Sequence, residues 1–166
     1  IRVTLETLEK KFYYGLKIGK KLGEGQFGTT WAAHRTSCAN NSPEKNWGGA
    51  RKGKDLKELV IKEPKDSIDF REYSVVLALK PHRNILSLLG LTMVNNKYCL
   101  VSELCDKGSL DKLHNVVDMT RPKTFARIAL ETCRGLDHIH NTLEILHKDI
   151  ACRNVLMRSD GSVVLS

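Results

Sequence analysis

The chain has 166 residues, a formal net charge of +8 and a hydrophobic fraction of 41%. This composition is typical of a folded globular protein and excludes an intrinsically disordered one. The positive charge is concentrated at 10–21 and 45–57. Neither stretch has the pattern of a recognition helix, so we interpret the charge as a basic surface and expect no nucleic-acid partner.

Five cysteines form no CxxC pair and no cluster with histidine at metal-ligand spacing. Their odd number indicates thiols in a reducing compartment, and we expect Cys99 and Cys133 to be small buried side chains. No apolar run approaches the roughly 20 residues of a membrane helix. Because the chain begins at Ile1 and ends in a strand-like run, we expect both ends to be cuts in a longer protein.

Short strands are predicted along the first part of the chain, at 14–23, 29–35 and 56–63. A turn-rich insertion at 40–54 separates the second strand from the third. A helix is predicted over 69–80, where apolar residues share one face and Pro81 ends the periodicity. Two further strands, 85–94 and 97–104, are joined by the turn pair Asn95–Asn96. The pattern predicts a five-stranded antiparallel sheet with one helix.

The second part of the chain is predicted to be helical. Ser109 is expected to cap a short helix at 110–117, and Thr124 a long helix at 125–143. The long helix carries an apolar stripe that we interpret as core, formed by Phe125, Ile128, Ala129, Thr132, Leu136 and Ile139. The fold class is therefore α+β with a sheet-rich lobe at 12–104 and the start of a helical lobe at 105–166. Ligand pockets favour such junctions.

A glycine-rich motif, GEGQFG at 23–28, lies between two predicted strands. Dinucleotide-binding folds place the same G-x-G-x-x-G pattern between a strand and a helix. The strand that follows Gly28 favours a hairpin flap over phosphate groups, because glycine lets the backbone approach phosphate oxygens closely. A plain glycine-rich hairpin remains the alternative for this motif taken alone.

Charged residues downstream favour the phosphate interpretation. Lys62 ends the third strand, and Glu72 on the following helix can hold it as an ion pair. The string HKDIACRN at 147–154 follows the long helix. It supplies the Asp149 carboxylate, which can accept a hydroxyl proton, and the Asn154 amide oxygen, which can bind Mg²⁺.

Together these motifs resemble a protein kinase over 12–166, in the family's order. Ala151 and Arg153 after the aspartate are similar to the catalytic loop of tyrosine kinases. The stretches HRNILSLLG and CDKGSL resemble fibroblast-growth-factor-receptor-type kinases in particular. The resemblance implies a protein-kinase-like two-lobe fold, truncated within its helical lobe, with ATP and Mg²⁺ as ligands.

Position by position, the resemblance implies a set of nucleotide contacts through the glycine loop, the roof and floor of the adenine pocket, the gatekeeper Ser102 and the hinge. These residues are Leu22, Gly23, Gly25, Gly28, Thr30, Val60, Lys62, Ser102, Glu103, Cys105 and Leu156.

The resemblance also implies catalytic roles. Lys62 would contact the α- and β-phosphates, held by Glu72. Asp149 would be the catalytic base, Arg153 would orient the loop, and Asn154 would hold the metal ion.

Three positions depart from the family pattern. Thr30 and Val60 replace a valine and an alanine, which predicts a tighter, more polar pocket roof and weaker nucleotide binding. Lys148 replaces the arginine of H-R-D and lacks its bidentate fork. Aligned on Asn154, the chain ends one residue before the expected D-F-G, so the fragment alone is expected to be inactive.

The expected function of the parent protein is ATP-dependent transfer of the γ-phosphate to tyrosine in a protein substrate. The alternative is a pseudokinase that acts as a nucleotide-sensing or scaffolding module, which Lys148, Thr30 and Val60 favour. A receptor form would lie on the cytoplasmic side of a membrane and could dimerise through other parts of its chain. A non-receptor form would be cytoplasmic.

Overall fold

A computed structural model describes residues 11–25, 28–35, 58–66, 81–113, 115 and 117–166. These residues belong to two compact units, one drawn from Ile1–Ala78 and Leu88–Leu104, the other from Leu79–Ser87 and Cys105–Ser166. The predicted helix at 69–80 and the insertion at 40–54 lie outside the described residues. No helix in the described ranges is long and apolar enough to cross a membrane.

The first unit contains a five-stranded antiparallel sheet, as predicted, in the order β1-β2-β3-β5-β4. Its strands are β1 (Leu16–Gly25), β2 (Gly28–Arg35), β3 (Leu59–Pro64), β4 (Leu88–Val94) and β5 (Lys97–Glu103). β4 and β5 pair antiparallel because the connection between them is short. Asn95 and Asn96 both adopt positive φ there and close a tight hairpin.

The two faces of this sheet differ in composition because side chains alternate along each strand. One face carries the apolar core of the unit, formed by Ala33, Leu59, Ile61, Cys99 and Val101. Cys99 is fully buried, as predicted, and burial raises the pKa of its thiol to about 11. The opposite face carries several of the predicted nucleotide contacts.

A short segment before β1 also joins the sheet. Tyr13 N–H donates to the Leu91 carbonyl at 2.7 Å, and Leu91 N–H donates to the Lys11 carbonyl at 2.9 Å. This parallel pairing runs against Gly90, where a Cβ would lie only 2.0 Å from the Lys11 carbonyl oxygen. Glycine is therefore required at position 90 for the segment to lie against β4.

The second unit combines a small sheet with one long helix. The sheet is antiparallel, in the order β6 (Gly108–Ser109), β7 (Val155–Met157) and β8 (Val163–Leu165). The helix α1 spans Pro122–Asp137 and continues into a π-helical turn, His138–Thr142. Single 3₁₀ turns lie at Leu110–Lys112 and Cys152–Asn154. Apolar residues of α1 and of strands β7 and β8 form the core of the unit.

The helix-cap prediction for Thr124 was wrong. α1 begins before Thr124, with Arg121 at the N-cap and Pro122 in the first turn, where proline's missing N–H costs no hydrogen bond. Ser109 occupies the N-cap position of the 3₁₀ turn Leu110–Lys112, as predicted, but its hydroxyl makes no capping hydrogen bond. Among the described residues of the short helix predicted at 110–117, only Leu110–Lys112 are helical.

The predicted stripe is correct for Ile128, Leu136 and Ile139, which lie in or against the apolar core, but the buried face of α1 differs from it elsewhere. Its buried residues are Ile128, Glu131 and Gly135, whereas Phe125 is 56% exposed. Cys133, predicted to be buried, is exposed. At about 100° per residue, Cys133 lies about 140° around the helix from Ile128, on the side opposite the core. The prediction was based on apolar residues, whereas the buried face of α1 also includes the carboxylate of Glu131.

That carboxylate belongs to a buried polar cluster. Glu131 Oε2 accepts the Val163 backbone N–H at 2.8 Å and lies 3.4 Å from Nδ2 of the fully buried Asn84. Asn84 Nδ2 also donates to the Val163 carbonyl at 2.9 Å. Arg127 Nη1 lies 3.5 Å from the other Glu131 oxygen and donates to the Gly161 carbonyl at 2.5 Å. The Asn84–Glu131 cluster thus connects segment 81–86, α1 and β8.

We predict that Glu131→Ala lowers the free energy of unfolding by about 2–4 kcal/mol, because it leaves buried donors of Asn84 and Val163 without an acceptor. Glu131→Gln keeps one carbonyl oxygen and should cost about half as much. Urea unfolding of both variants measures the difference. Equal stability of the alanine variant and the unaltered chain would contradict the assignment.

Candidate active site

The three glycines of the motif at 23–28 have different structural environments. Gly28 adopts φ +144°, and a Cβ on it would lie 2.1 Å from the Glu63 carbonyl oxygen. A Cβ on Gly23 or Gly25 would meet nothing within 4 Å. Gly28 is therefore required by the packing of β2 on β3, whereas Gly23 and Gly25 leave open space beside the backbone. The tip of the motif, 26–27, lies outside the described residues.

The sheet register brings several predicted site residues together on one face. Gly23 pairs with Thr30, and Thr30 pairs with Lys62, so the three form a row across β1, β2 and β3. Two residues along β3, Val60 pairs with Ser102 on β5. Directly paired residues point to the same face of a sheet, as do residues two apart on one strand. Thr30, Val60, Lys62 and Ser102 therefore share the face opposite the apolar core.

Lys62 is exposed, while Val60 and Ser102 are buried. The predicted partner of Lys62, Glu72, lies outside the described residues, so the Lys62–Glu72 ion pair stays a prediction. Leu22, predicted to lie above the adenine, is 38% exposed on β1. The Lys62 ammonium group thus shares this face of the sheet with the apolar side chain of Val60 and the hydroxyl groups of Thr30 and Ser102.

The predicted hinge residues lie at the ends of their units. Ser102 Oγ donates to the Glu103 carbonyl at 3.3 Å. In the second unit, Cys105 is buried and its carbonyl accepts the Gly108 N–H at 2.9 Å. Leu156 is half-buried on β7, paired with Ser109 and Val164.

The predicted catalytic loop is a compact hydrogen-bonded structure. Asp149 Oδ1 pairs with the Arg153 guanidinium four residues on, and Asp149 Oδ2 accepts Asn154 Nδ2 at 2.7 Å. Asn154 Nδ2 also donates to the Asp149 backbone carbonyl at 2.7 Å. The 3₁₀ turn at Cys152–Asn154 makes this closure possible, since it brings residue 154 back onto residue 149. Both oxygens of the carboxylate are therefore fixed in orientation.

Asn154 suits the metal role chemically. Its hydrogen bonds use Nδ2, which leaves Oδ1, a hard oxygen of the kind Mg²⁺ prefers, outside those bonds. Within the described ranges, no group of three or more histidine, cysteine or acidic side chains is placed to hold a metal. Asn154 would hold the ion through this amide oxygen.

Two supports of this loop were not predicted from the sequence. The Ser166 N–H donates to the Asn154 carbonyl at 2.9 Å, which fastens the end of β8 to the loop. Lys148 adopts φ +63°, a left-handed conformation that is uncommon for residues other than glycine. The sequence contains no signal for either feature, because one is a backbone contact and the other a backbone torsion.

The glycine hairpin of β1 and β2 and the Asp149–Asn154 loop are the described features that carry the predicted kinase motifs. A family model described as "Protein tyrosine and serine/threonine kinase" matches residues 16–166, so the chain belongs to the protein kinase family. The resemblance to protein kinases is thereby confirmed at the level of the family.

Among its relatives, the chain is 29% identical to LIM domain kinase 1 of Drosophila melanogaster over 91% of its own length and 11% of that protein. It is 26% identical to the serine/threonine-protein kinase pakH of Dictyostelium discoideum, covering 90% of the chain and 27% of that protein. It is 24% identical to the serine/threonine-protein kinase STY46 of Arabidopsis thaliana, covering 86% of the chain and 23% of that protein. The chain thus spans less than a third of each of these relatives.

We predict that Gly28→Ala destabilises the first unit by about 1–3 kcal/mol, since the new methyl group meets backbone atoms of β3 and the residue must keep a positive φ. Gly23→Ala is the matched control and should change the free energy of unfolding by less than about 0.5 kcal/mol. Urea unfolding followed by circular dichroism compares the two. Equal effects would show that Gly28 is not required by packing.

Proposed function

We propose that the chain is the nucleotide-binding and catalytic-loop part of an ATP-dependent protein kinase that phosphorylates tyrosine. In this proposal residues 12–104 form the N-lobe, and residues 105–166 form the hinge and first part of the C-lobe. The Asp149–Arg153–Asn154 arrangement carries the proposal, since it fixes a carboxylate acceptor and an amide oxygen within one short loop. Membership of the kinase family supports the reaction class.

In the proposed reaction, the hydroxyl oxygen of the protein substrate forms a bond to the γ-phosphorus of ATP. The bond from that phosphorus to the bridging oxygen of ADP breaks, and Asp149 accepts the hydroxyl proton. Lys62 contacts the α- and β-phosphates, and the backbone around Gly23 and Gly25 approaches the phosphates from above. Mg²⁺, when bound, neutralises charge on the phosphates, with the Asn154 amide oxygen as one ligand.

The choice of tyrosine follows from the catalytic loop. Ala151 and Arg153 stand where the resemblance to tyrosine kinases lies, and Arg153 pairs with Asp149 in the structure. The names of two relatives point instead to serine and threonine. Phosphorylation of serine or threonine is therefore the second candidate. We do not extend the proposal to a growth-factor-receptor type, because the relatives give that nearer resemblance no support.

Cellular location follows from the form of the parent protein. We propose the cytoplasmic side of a membrane for a receptor form and the cytoplasm for any other form.

The decisive experiment uses the full-length protein that contains this chain, with Mg²⁺-ATP and matched peptides that differ only in carrying tyrosine, serine or threonine. We expect phosphate on tyrosine, and Asp149→Asn should lower the rate by about 10²–10⁴-fold. Phosphate on serine or threonine alone would overturn tyrosine specificity and keep the kinase. ATP binding without transfer to any peptide would instead establish a pseudokinase.

A second prediction concerns the pocket roof. Thr30→Val combined with Val60→Ala should tighten ATP binding about three- to tenfold, because it removes a hydroxyl that needs a partner and a methyl-sized excess of volume. Thr29→Val is the matched control: it makes the same change one residue away, on the opposite face of β2, and should leave affinity unchanged. Isothermal calorimetry on the full-length protein measures the three affinities, and unchanged binding in the double variant would contradict the prediction.

A further inference from the structure

Two histidines stack beside the Asn84–Glu131 cluster and take no part in the proposed phosphotransfer. The rings of His82 and His138 lie with centroids 4.6 Å apart and an interplanar angle of 11°. His82 belongs to segment 81–86, and His138 follows the last residue of α1. The stack therefore joins segment 81–86 to the end of α1, and these are two of the three elements that the Asn84–Glu131 cluster connects.

Hydrogen bonding fixes the neutral form of His82. Its Nδ1 accepts the backbone N–H of Asn84 at 3.2 Å, so Nδ1 carries a lone pair and the ring proton lies on Nε2. Protonation of His82 would place a hydrogen on Nδ1 and convert this acceptor into a donor that faces another donor. The Asn84 N–H bond would then be lost.

The second ring of the stack, His138, has one buried nitrogen atom. Its Nε2 is buried and has no hydrogen-bond partner among the described residues. A lone pair at this position is tolerated, whereas an N–H there would be a buried donor without an acceptor. Two charged rings stacked at this distance would also repel each other.

Other charges around the pair do not reverse this preference. Burial and His138 are the leading causes that lower the pKa of His82, with Arg83 acting in the same direction and Asp137 opposing it. Glu131 is engaged with Val163, Asn84 and Arg127, and Arg158 donates to the Arg83 carbonyl.

We propose that the His82–His138 stack is a proton-sensitive clasp that holds segment 81–86 on α1 and β8 and loosens under mild acid. Its direction follows from linkage. In the unfolded chain His82 has the ordinary histidine pKa of about 6.5, while in the folded chain its pKa is lowered. Stability of the clasp is therefore complete above this pH and declines as the pH falls below it.

The backbone bonds that this clasp protects are specific. Leu86 N–H donates to the Leu165 carbonyl at 2.7 Å, and Leu165 N–H donates to the Asn84 carbonyl at 3.0 Å.

Amide hydrogen exchange of Leu86 and Leu165 in the full chain tests the clasp without any nucleotide, so its outcome is independent of kinase activity. Between about pH 7.5 and about pH 5.5, after correction for intrinsic exchange, we expect protection to fall about five- to tenfold. His138→Phe keeps a stacking ring without a titrating nitrogen and should reduce the fall by at least about half. The control His140→Phe alters an exposed neighbour and should behave as the unaltered chain.

An unchanged fall in His138→Phe would overturn the proposal, as would constant protection across this range in the unaltered chain. If His138→Phe does not fold, the ring-proton titrations of the unaltered chain decide. A His82 ring that titrates at or above about pH 6.5 would overturn the clasp, and one that titrates below it would support the clasp.

Discussion

Asn84 is held from three directions, and the architecture of the second unit depends on those bonds. Its backbone carbonyl accepts from Leu165, its side-chain amide donates to the Val163 carbonyl and to Glu131, and its own N–H reaches His82. The approach is so close that only glycine fits at position 135 of α1, where a Cβ would lie 2.5 Å from the Asn84 carbonyl oxygen. The Asn84 amide nitrogen and the Glu131 carboxylate are buried and hydrogen-bonded to each other, while Asn84 Oδ1 has no partner among the described residues. Segment 81–86 consequently belongs to the second unit, although the chain before Leu79 and the chain from Leu88 to Leu104 belong to the first.

The β7–β8 hairpin, which Asn84 contacts, also supports the predicted catalytic loop. β8 ends at Leu165, and the next residue donates its N–H to the Asn154 carbonyl, directly beside the amide that fixes Asp149. The orientation of the Asp149 carboxylate thus depends on backbone contacts that extend from segment 81–86 through β8 to the loop. Catalytic groups need such support, since small errors of position are costly in rate.

The sequence predicted the sheet well because alternating side chains and tight turns are local signals. It also placed Asp149, Arg153 and Asn154 in one short loop, where the structure joins them by hydrogen bonds. It was right about the face of α1 only in part: Ile128 and Leu136 lie at the core, whereas Phe125 and Cys133 are exposed and Glu131 completes the buried face through distant partners. The histidine stack was out of reach, because it depends on packing between segments far apart in the chain.

The pairing of residues 11–13 with β4 has a practical meaning for how the first unit is isolated. The family match begins at residue 16, at the first residue of β1, and would exclude this segment. A polypeptide started there would lose Tyr13, which packs against the apolar core, and would leave the hydrogen-bonding edge of β4 open beside Gly90. An open strand edge is a template for pairing with another molecule. Residues 11–13 therefore cover the β4 edge of the sheet.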